Sequence, residues 1–331
     1  MIQPLVTVRH FRDDPGNDVQ DGYDLPDGYV GMHSPWPRPR RRMSGDGRPP
    51  LRRPRGGRVV AEHGEATSGG RGLAKRHDET VVREFSKQAE TFGDPRLNTA
   101  YTRHLARLVD YMEPELDRED VVLEVAAGTG LVSRALAHRV RHVTALDLTP
   151  AMLEQGKREA DRDGVTNVTF TRGDAADLPY LSRSFTLVVC RFALHQVADP
   201  EAVLREMARV SRPGGALFIQ DVIRPEDVAA DPDRIERLRD PSHNALLTRA
   251  RVTELVEAAG AEVKRTETFD HVRPLAPWLE QARTPDDDAA RIRKELEAEL
   301  SGGPATGMRP CMVDGELCFT HTNLLVHACA P

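Results

Sequence analysis

Five short apolar runs set the rhythm of this chain: VVLEV at 121–125, VTALDL at 143–148, VTFTRGDA at 168–175, FTLVVCR at 185–191 and ALFIQDV at 216–222. Each is bounded by turn-forming or charged residues and reads as a strand. Between them, LVSRALAHRV, TPAMLEQGKREADRDG and PEAVLREMARV repeat apolar residues three and four apart, the spacing of helices with one buried face. Pro150 stands near a helix start, where its missing N–H costs nothing. Strands that are apolar along most of their length are buried on both faces, as in a parallel sheet. The fold class is therefore α/β: a doubly wound, Rossmann-like sheet with helices on both faces.

The flanks are less regular. HDETVVREFSKQAETF places Val81, Phe85 and Ala89 on one helical face, and PRLNTAYTRHLARLVDYM does the same with Leu105, Leu108 and Met112. Pro114 ends the second pattern. These two helices, within 77–115, are expected to cap one edge of the sheet. After Val222 the rhythm loosens. EDVAADPDRIERLRD reads as a surface helix broken at Pro232, and TRARVTELVEAAG as an amphipathic helix stopped at Gly260. AEVKRTETFDHV is a strand candidate, 274–302 a charged helical insertion and second cap, and GELCFTHTNLLVHA a last strand.

Residues 1–76 have another texture, rich in Pro, Gly and Arg, as in PWPRPRRRMSGDGRPPLRRPRGGR. With few large apolar residues they cannot offset their own ordering entropy, so a disordered tail is expected. A solvated tail, or upstream sequence translated from a misplaced start, is the plainer reading; a basic arm for nucleic acid or anionic lipid is the sharper one. The folded domain is then 77–331, with its core at 117–223.

Composition narrows the partners. The 331 residues carry a net charge of −6, which gives no general pull toward nucleic acid. No run approaches the ~20 apolar residues of a membrane span, and no secretory signal is visible. Four cysteines lack C-x-x-C spacing, which fits a reduced, cytoplasmic chain without structural zinc. His321, His327, Cys318 and Cys329 near the C-terminus suggest a metal at first sight, but alternation along a terminal strand accounts for them, and no metal is expected.

The chemistry gathers at strand tips. Glu124-Val125-Ala126-Ala127-Gly128-Thr129-Gly130 joins the first strand to a helix through small residues, which let a ligand approach the backbone near a positive helix end. A dinucleotide fingerprint wants three glycines. Here its positions hold Ala126, Gly128 and Leu131, and Glu124 would repel a pyrophosphate. An acidic tip suits a cation bearing an ammonium and a sulfonium. Asp147 ends the second strand, seventeen residues after Gly130. It reads equally as a ribose-binding acid or a helix N-cap. Asp174 ends the third strand, either accepting from an exocyclic adenine amine or acting as an ordinary turn aspartate. Three acids at neighbouring tips favour a shared ligand.

With these motifs in order, residues 121–222 resemble the class I S-adenosylmethionine-dependent methyltransferases, in particular the group that includes the ubiquinone and menaquinone C-methyltransferases. VLEVAAGTG, VTALDLTPAMLEQGKREA, VTFTRGDAADLPYLSRSFTLVVCRFALHQVADP and VLREMARVSRPGGALFIQD carry the likeness. The resemblance implies a seven-stranded, mostly parallel sheet and S-adenosylmethionine as cofactor. Glu124 and Ala126, Gly128, Thr129 and Gly130 of the turn would hold its methionine part. Asp147 would hold the ribose and Leu148 would lie on the adenine. Asp174 and Ala175 would hold the adenine edge, and Arg191 would make a main-chain contact. Ala126 stands where glycine is commoner, although the quinone enzymes often have alanine there.

His195, just past the fourth strand, is placed to act as a general base, or else it shapes the pocket as a loop histidine. The base-amine motif of nucleic-acid methyltransferases is replaced by Cys190-Arg191-Phe192-Ala193, so the expected acceptor is a small organic molecule, methylated at C, O or N. Phe192, Tyr180, Trp278 and Phe319 are candidates to line its pocket. A nicotinamide-dependent Rossmann oxidoreductase and a binding protein without catalysis are the alternatives. Nothing in the sequence sets the oligomeric state.

Overall fold

The structure, a computed structural model, describes residues 68–94, 96–97, 102, 104–228 and 230–331. The expected disorder of the N-terminal tract falls on residues 1–67, outside the described residues. Residues 68–76 belong instead to the first helix, α1 (Ser68–Phe92). Among the residues of α1 whose side chains are described, Ala74 is the first to line the cavity described below.

The remaining elements follow in chain order: α2 (Leu105–Met112), β1 (Val121–Val125), α3 (Leu131–Leu136), β2 (His142–Asp147), α4 (Pro150–Arg162), β3 (Val168–Arg172), β4 (Phe185–Arg191), α5 (Pro200–Val210) and β5 (Ser211–Ile223). Then come α6 (Asp233–Arg239), α7 (Arg249–Ala258), β6 (Glu262–Pro274), α8 (Leu275–Gln281), α9 (Asp286–Leu300), β7 (Cys311–Val313) and β8 (Glu316–Cys329). The sheet order is β3-β2-β1-β4-β5-β8-β6, with the short β7 added to β8 as an eighth strand. The first five strands are parallel, whereas β8 runs antiparallel between β5 and β6.

Strand alternation splits the core between two faces. Leu123 and Val125 of β1 join Val188, Cys190 and Ile219 under α5 and α7. Val122 joins Val143, Val189 and Phe218 under α2 and α3. The chain reverses between β1 and β4, where β2 and β3 continue to one side and β5 to the other. Ligand clefts open at such a reversal, beyond the carboxyl ends of the strands.

One feature departs from a flat edge. β5 ends at Ile223, paired with Thr322 of β8. Beyond that point β6 and β8 run on without β5, pairing His271 with His321 and Pro274 with Cys318. This projecting ribbon stands beyond the carboxyl ends of the parallel strands. Behind it Ile235, Leu275, Trp278, Ile292, Leu296 and Phe319 form a separate small core with α6, α8 and α9.

The expected surface helix at 226–240 is corrected. Pro232 precedes α6 rather than breaking it, and Ile235, Glu236 and Arg239 are buried. Its charges suggested exposure, but they are paired. Glu236 accepts from His321 Nε2 at 2.8 Å, and Arg239 Nε donates to the Trp278 carbonyl at 3.1 Å.

Candidate active site

A cavity opens at the carboxyl edge of β1, β2 and β4, roofed by α1 and closed at one end by the projecting β6–β8 ribbon. Glu124, Asp147 and Asp174 all line it, as do Ala126, Gly128, Thr129, Leu148, Ala175, Arg191 and His195. Gly130 does not. It adopts a positive φ of 66° at the start of α3, where a Cβ would meet the Phe170 ring at 2.9 Å. Its role is to let the turn pack on the sheet.

The turn itself is built for close approach. Gly128 has φ of 56°, and a Cβ built there meets no protein atom within 4 Å. A side chain would project into the open space above the turn, so this cradle fits a ligand lying against the backbone. Ala126 accepts a φ of 53°, a conformation that L-residues rarely adopt. Asp147 couples the turn to the second strand: Oδ2 accepts from Gly128 N at 2.7 Å and Oδ1 from Thr149 N at 2.8 Å.

Glu124 is buried, and its Oε2 accepts from both the N–H and the hydroxyl of Ser133 on α3. Burial outweighs the Ser133 hydrogen bonds and pushes this carboxyl up to about 7. Asp174, at the other end, is exposed and accepts from Ala176 N at 2.8 Å. Asp78 of α1 approaches it. Burial, and then the negative charge of Asp174, raise the Asp78 carboxyl above its ordinary value. Arg191 is buried and donates to Gln220 Oε1 at 2.7 Å, with its guanidinium over the Phe192 ring.

Of the two expected cap helices at the start, α1 is the one that lines the cavity among the described residues. Ala74, Asp78, Val81, Phe85, Gln88 and Phe92 recur at intervals of four and three, a stripe along one face. Gln88 Nε2 donates to Asp240 Oδ2 at 2.9 Å, and Thr91 Oγ1 to the Gln281 carbonyl at 2.7 Å, fastening the roof. α2 instead packs Leu108 and Met112 against the sheet. In the second cap segment, Trp278 of α8 lines the cavity while α9 supports it from behind. Phe192 also lines it. Tyr180 packs edge-on against Phe185, and Phe319 lies in the small core, so neither does.

His195 has a partner that sequence reasoning missed. Its Nδ1 donates to Oδ1 of Asp221, which is buried at the tip of β5. The same carboxylate accepts from the N–H groups of Leu194, His195 and Val222. Burial opposes a charge on the ring, but the Asp221 charge and hydrogen bond outweigh it, so His195 sits above its ordinary pKa. Nε2 is left as the basic atom of the ring. A signal for Asp221 was available: QDV places an acid at a strand tip, like the other three.

The C-terminal histidines separate. His321 bridges Glu236 and Arg273 Nη1, the latter at 3.4 Å, whereas His327 stacks on Phe218 with ring centroids 4.8 Å apart. Among the described residues no group of three metal-ligating side chains comes together, and no helix is long and apolar enough to cross a membrane.

Against known proteins, residues 123–219 match the family model described as a methyltransferase domain. The uncharacterized methyltransferase YcgJ of Bacillus subtilis is 29% identical over 214 residues, covering 64% of this chain and 83% of that protein. A demethylmenaquinone methyltransferase of Paenarthrobacter aurescens is 35% identical over 156 residues, or 46% of this chain and 58% of the relative. Among solved structures, a putative methyltransferase from Bacillus halodurans superposes with a TM-score of 0.62 at 27% identity, over 69% of this chain and 98% of that one. The chain belongs to the class I S-adenosylmethionine-dependent methyltransferases, and its reaction is methyl transfer.

Proposed function

We propose that the protein methylates a small organic acceptor that must lose a proton as it reacts, with His195 as general base and Asp221 as its positioning partner. The observation that carries this reading is the His195–Asp221 hydrogen bond inside the cavity lined by the three acidic strand tips. S-adenosylmethionine, when bound, supplies an electrophilic methyl group for in-line displacement.

The residues divide the work by place. The Glu124 carboxyl and the Gly128 cradle would receive the methionine part, Asp147 the ribose, and Leu148, Asp174 and Ala175 the adenine. α1 closes over this edge and excludes water, which strengthens charge interactions inside. Phe192, Val222 and Leu246 offer apolar walls near His195. The chief task is alignment of the reacting atoms at ~3–3.5 Å. His195 Nε2 takes the proton that the nucleophile sheds, and Asp221 balances the resulting positive charge. An acceptor hydroxyl or an acidic C–H fits this arrangement, because each has a proton to lose.

The test is direct. The full-length protein is incubated with methyl-labelled S-adenosylmethionine and the small-molecule fraction of a cell extract, and labelled products are read by mass spectrometry. A labelled product that falls at least about a hundredfold in His195→Ala supports the reading. Calorimetric binding of NADH but not S-adenosylhomocysteine, or a His195→Ala rate within a few-fold of wild type, would overturn it.

A further inference from the structure

We infer that Asn323 is the recognition group for the methyl acceptor, and that the acceptor presents a planar edge with a hydrogen-bond donor beside an acceptor. A lactam, a carboxamide or a hydroxyl next to a carbonyl has this edge. The inference rests on the methyltransferase reading above and specifies its substrate class.

Asn323 lies on β8 opposite Val222 of β5 and Phe269 of β6, at the root of the projecting ribbon. It is 1% exposed, and neither Oδ1 nor Nδ2 has a hydrogen-bond partner. Several other buried polar atoms are also unpartnered among the described residues, but of these side chains only Asn323 lines the cavity. Its polar neighbours in the same wall are engaged: Glu236 with His321, Arg239 with Trp278 and Gln281, and Asp240 with Gln88. The wall thus holds one side chain with unspent capacity, and that capacity is of both kinds.

A primary amide is a fixed pair, one acceptor oxygen and one donor nitrogen in a plane. It pairs with a complementary donor–acceptor edge, as asparagine does with adenine. A carboxylate is a poor match, since it offers no donor to Oδ1. The adenine of the cofactor is not the partner. Asp174 follows β3, and five strand intervals of ~4.8 Å place Asn323 roughly 24 Å away across the sheet. His195, by contrast, follows β4 and is tied to Asp221, the residue before Val222. Asn323 therefore faces the side of the cavity where the proton is removed.

The test uses 2-pyridone, a lactam small enough to enter any acceptor site, and 1-methyl-2-pyridone, which lacks its N–H. Each is titrated into the full-length protein saturated with S-adenosylhomocysteine. The side-chain amide resonance of Asn323 is followed by NMR and assigned by its loss in Asn323→Leu. The expected result is a shift of that resonance by 2-pyridone, with binding about tenfold weaker for the methylated compound and for Asn323→Leu. S-adenosylhomocysteine affinity and melting temperature serve as controls on the variant. No shift of the Asn323 resonance, or equal binding of the two pyridones, would overturn the inference. Failure to bind S-adenosylhomocysteine would instead strike the cofactor assignment, so the two failures are told apart.

Discussion

His195 and Asp221 form one unit: the imidazole donates to a buried carboxylate that three backbone N–H groups already hold in place. The carboxylate cannot swing away, so the ring is fixed in one tautomer with Nε2 as its basic atom. The two residues lie at the tips of adjacent strands, β4 and β5, which is why a separation of 26 positions becomes contact.

This pair predicts a pH profile. A base must be neutral, so activity rises with pH through a value above the ordinary histidine pKa of 6.5. Asp221→Asn removes the charge that raises it. The acidic limb should move to lower pH while the maximal rate falls about tenfold or more from lost orientation. The pair's stability contribution has the opposite sense. It is fully present below 6.5 and is lost as pH rises through the folded-state value. Rate profiles and denaturant melts across the same pH range check both.

Glu124 predicts a second dependence. Its carboxyl rises from 4.5 to about 7 on folding, so the folded state holds a proton that the unfolded chain releases. Stability should therefore decline as pH rises between these values, by roughly 3 kcal/mol. Glu124→Gln keeps the acceptor for Ser133 and should flatten the decline. A ligand ammonium beside this carboxyl would release the proton. Calorimetry of S-adenosylhomocysteine binding near pH 6.5 in buffers of different ionisation heat should then report proton release in the wild type and none in the variant.

The cradle predicts a separation of folding from binding. Gly128→Ala forces a side chain into a positive φ at about 1–2 kcal/mol, yet its Cβ meets no protein atom within 4 Å. The variant should fold with a modestly lower melting temperature. Its affinity for S-adenosylhomocysteine should drop more than about tenfold. Unchanged affinity would show that the ligand does not lie against this turn.

Asn323 predicts a gain of stability. Two buried amide atoms without partners cost about 1–3 kcal/mol. Asn323→Leu replaces them with an apolar group of similar size, and the ligand-free protein should melt higher than wild type. Differential scanning calorimetry checks this. A lower melting temperature would mean that the amide is satisfied in the free protein after all.

The sheet was legible in the chain because its strands are short apolar runs separated by helical spacing, and local pattern suffices for such elements. Glu124, Asp147 and Asp174 were legible for the same reason: each closes a recognisable run, and parallel strands bring their tips together. Gly130 was assigned to the ligand, yet it serves the packing of α3 on Phe170, since spacing does not show which way a turn glycine faces. The stretch at 226–240 misled because charge was read as exposure. Glu236 and Arg239 are buried with partners 85 and 39 positions away in the sequence.

By itself, then, the amino-acid order determined the parallel core and the acidic tips of its strands, which follow from periodicity and turns within a few dozen residues, while the reaction class came from the family that its motifs resemble. Tertiary structure alone decided how the polar groups in and around the cavity are paired. Asp221 reaches His195 across adjacent strands, Gln88 of the roof ties down Asp240 from 152 positions away, and Asn323 is left unpartnered inside the cavity. The physical reason is that hydrogen-bond satisfaction of buried groups depends on long-range pairing, and no local pattern reports it.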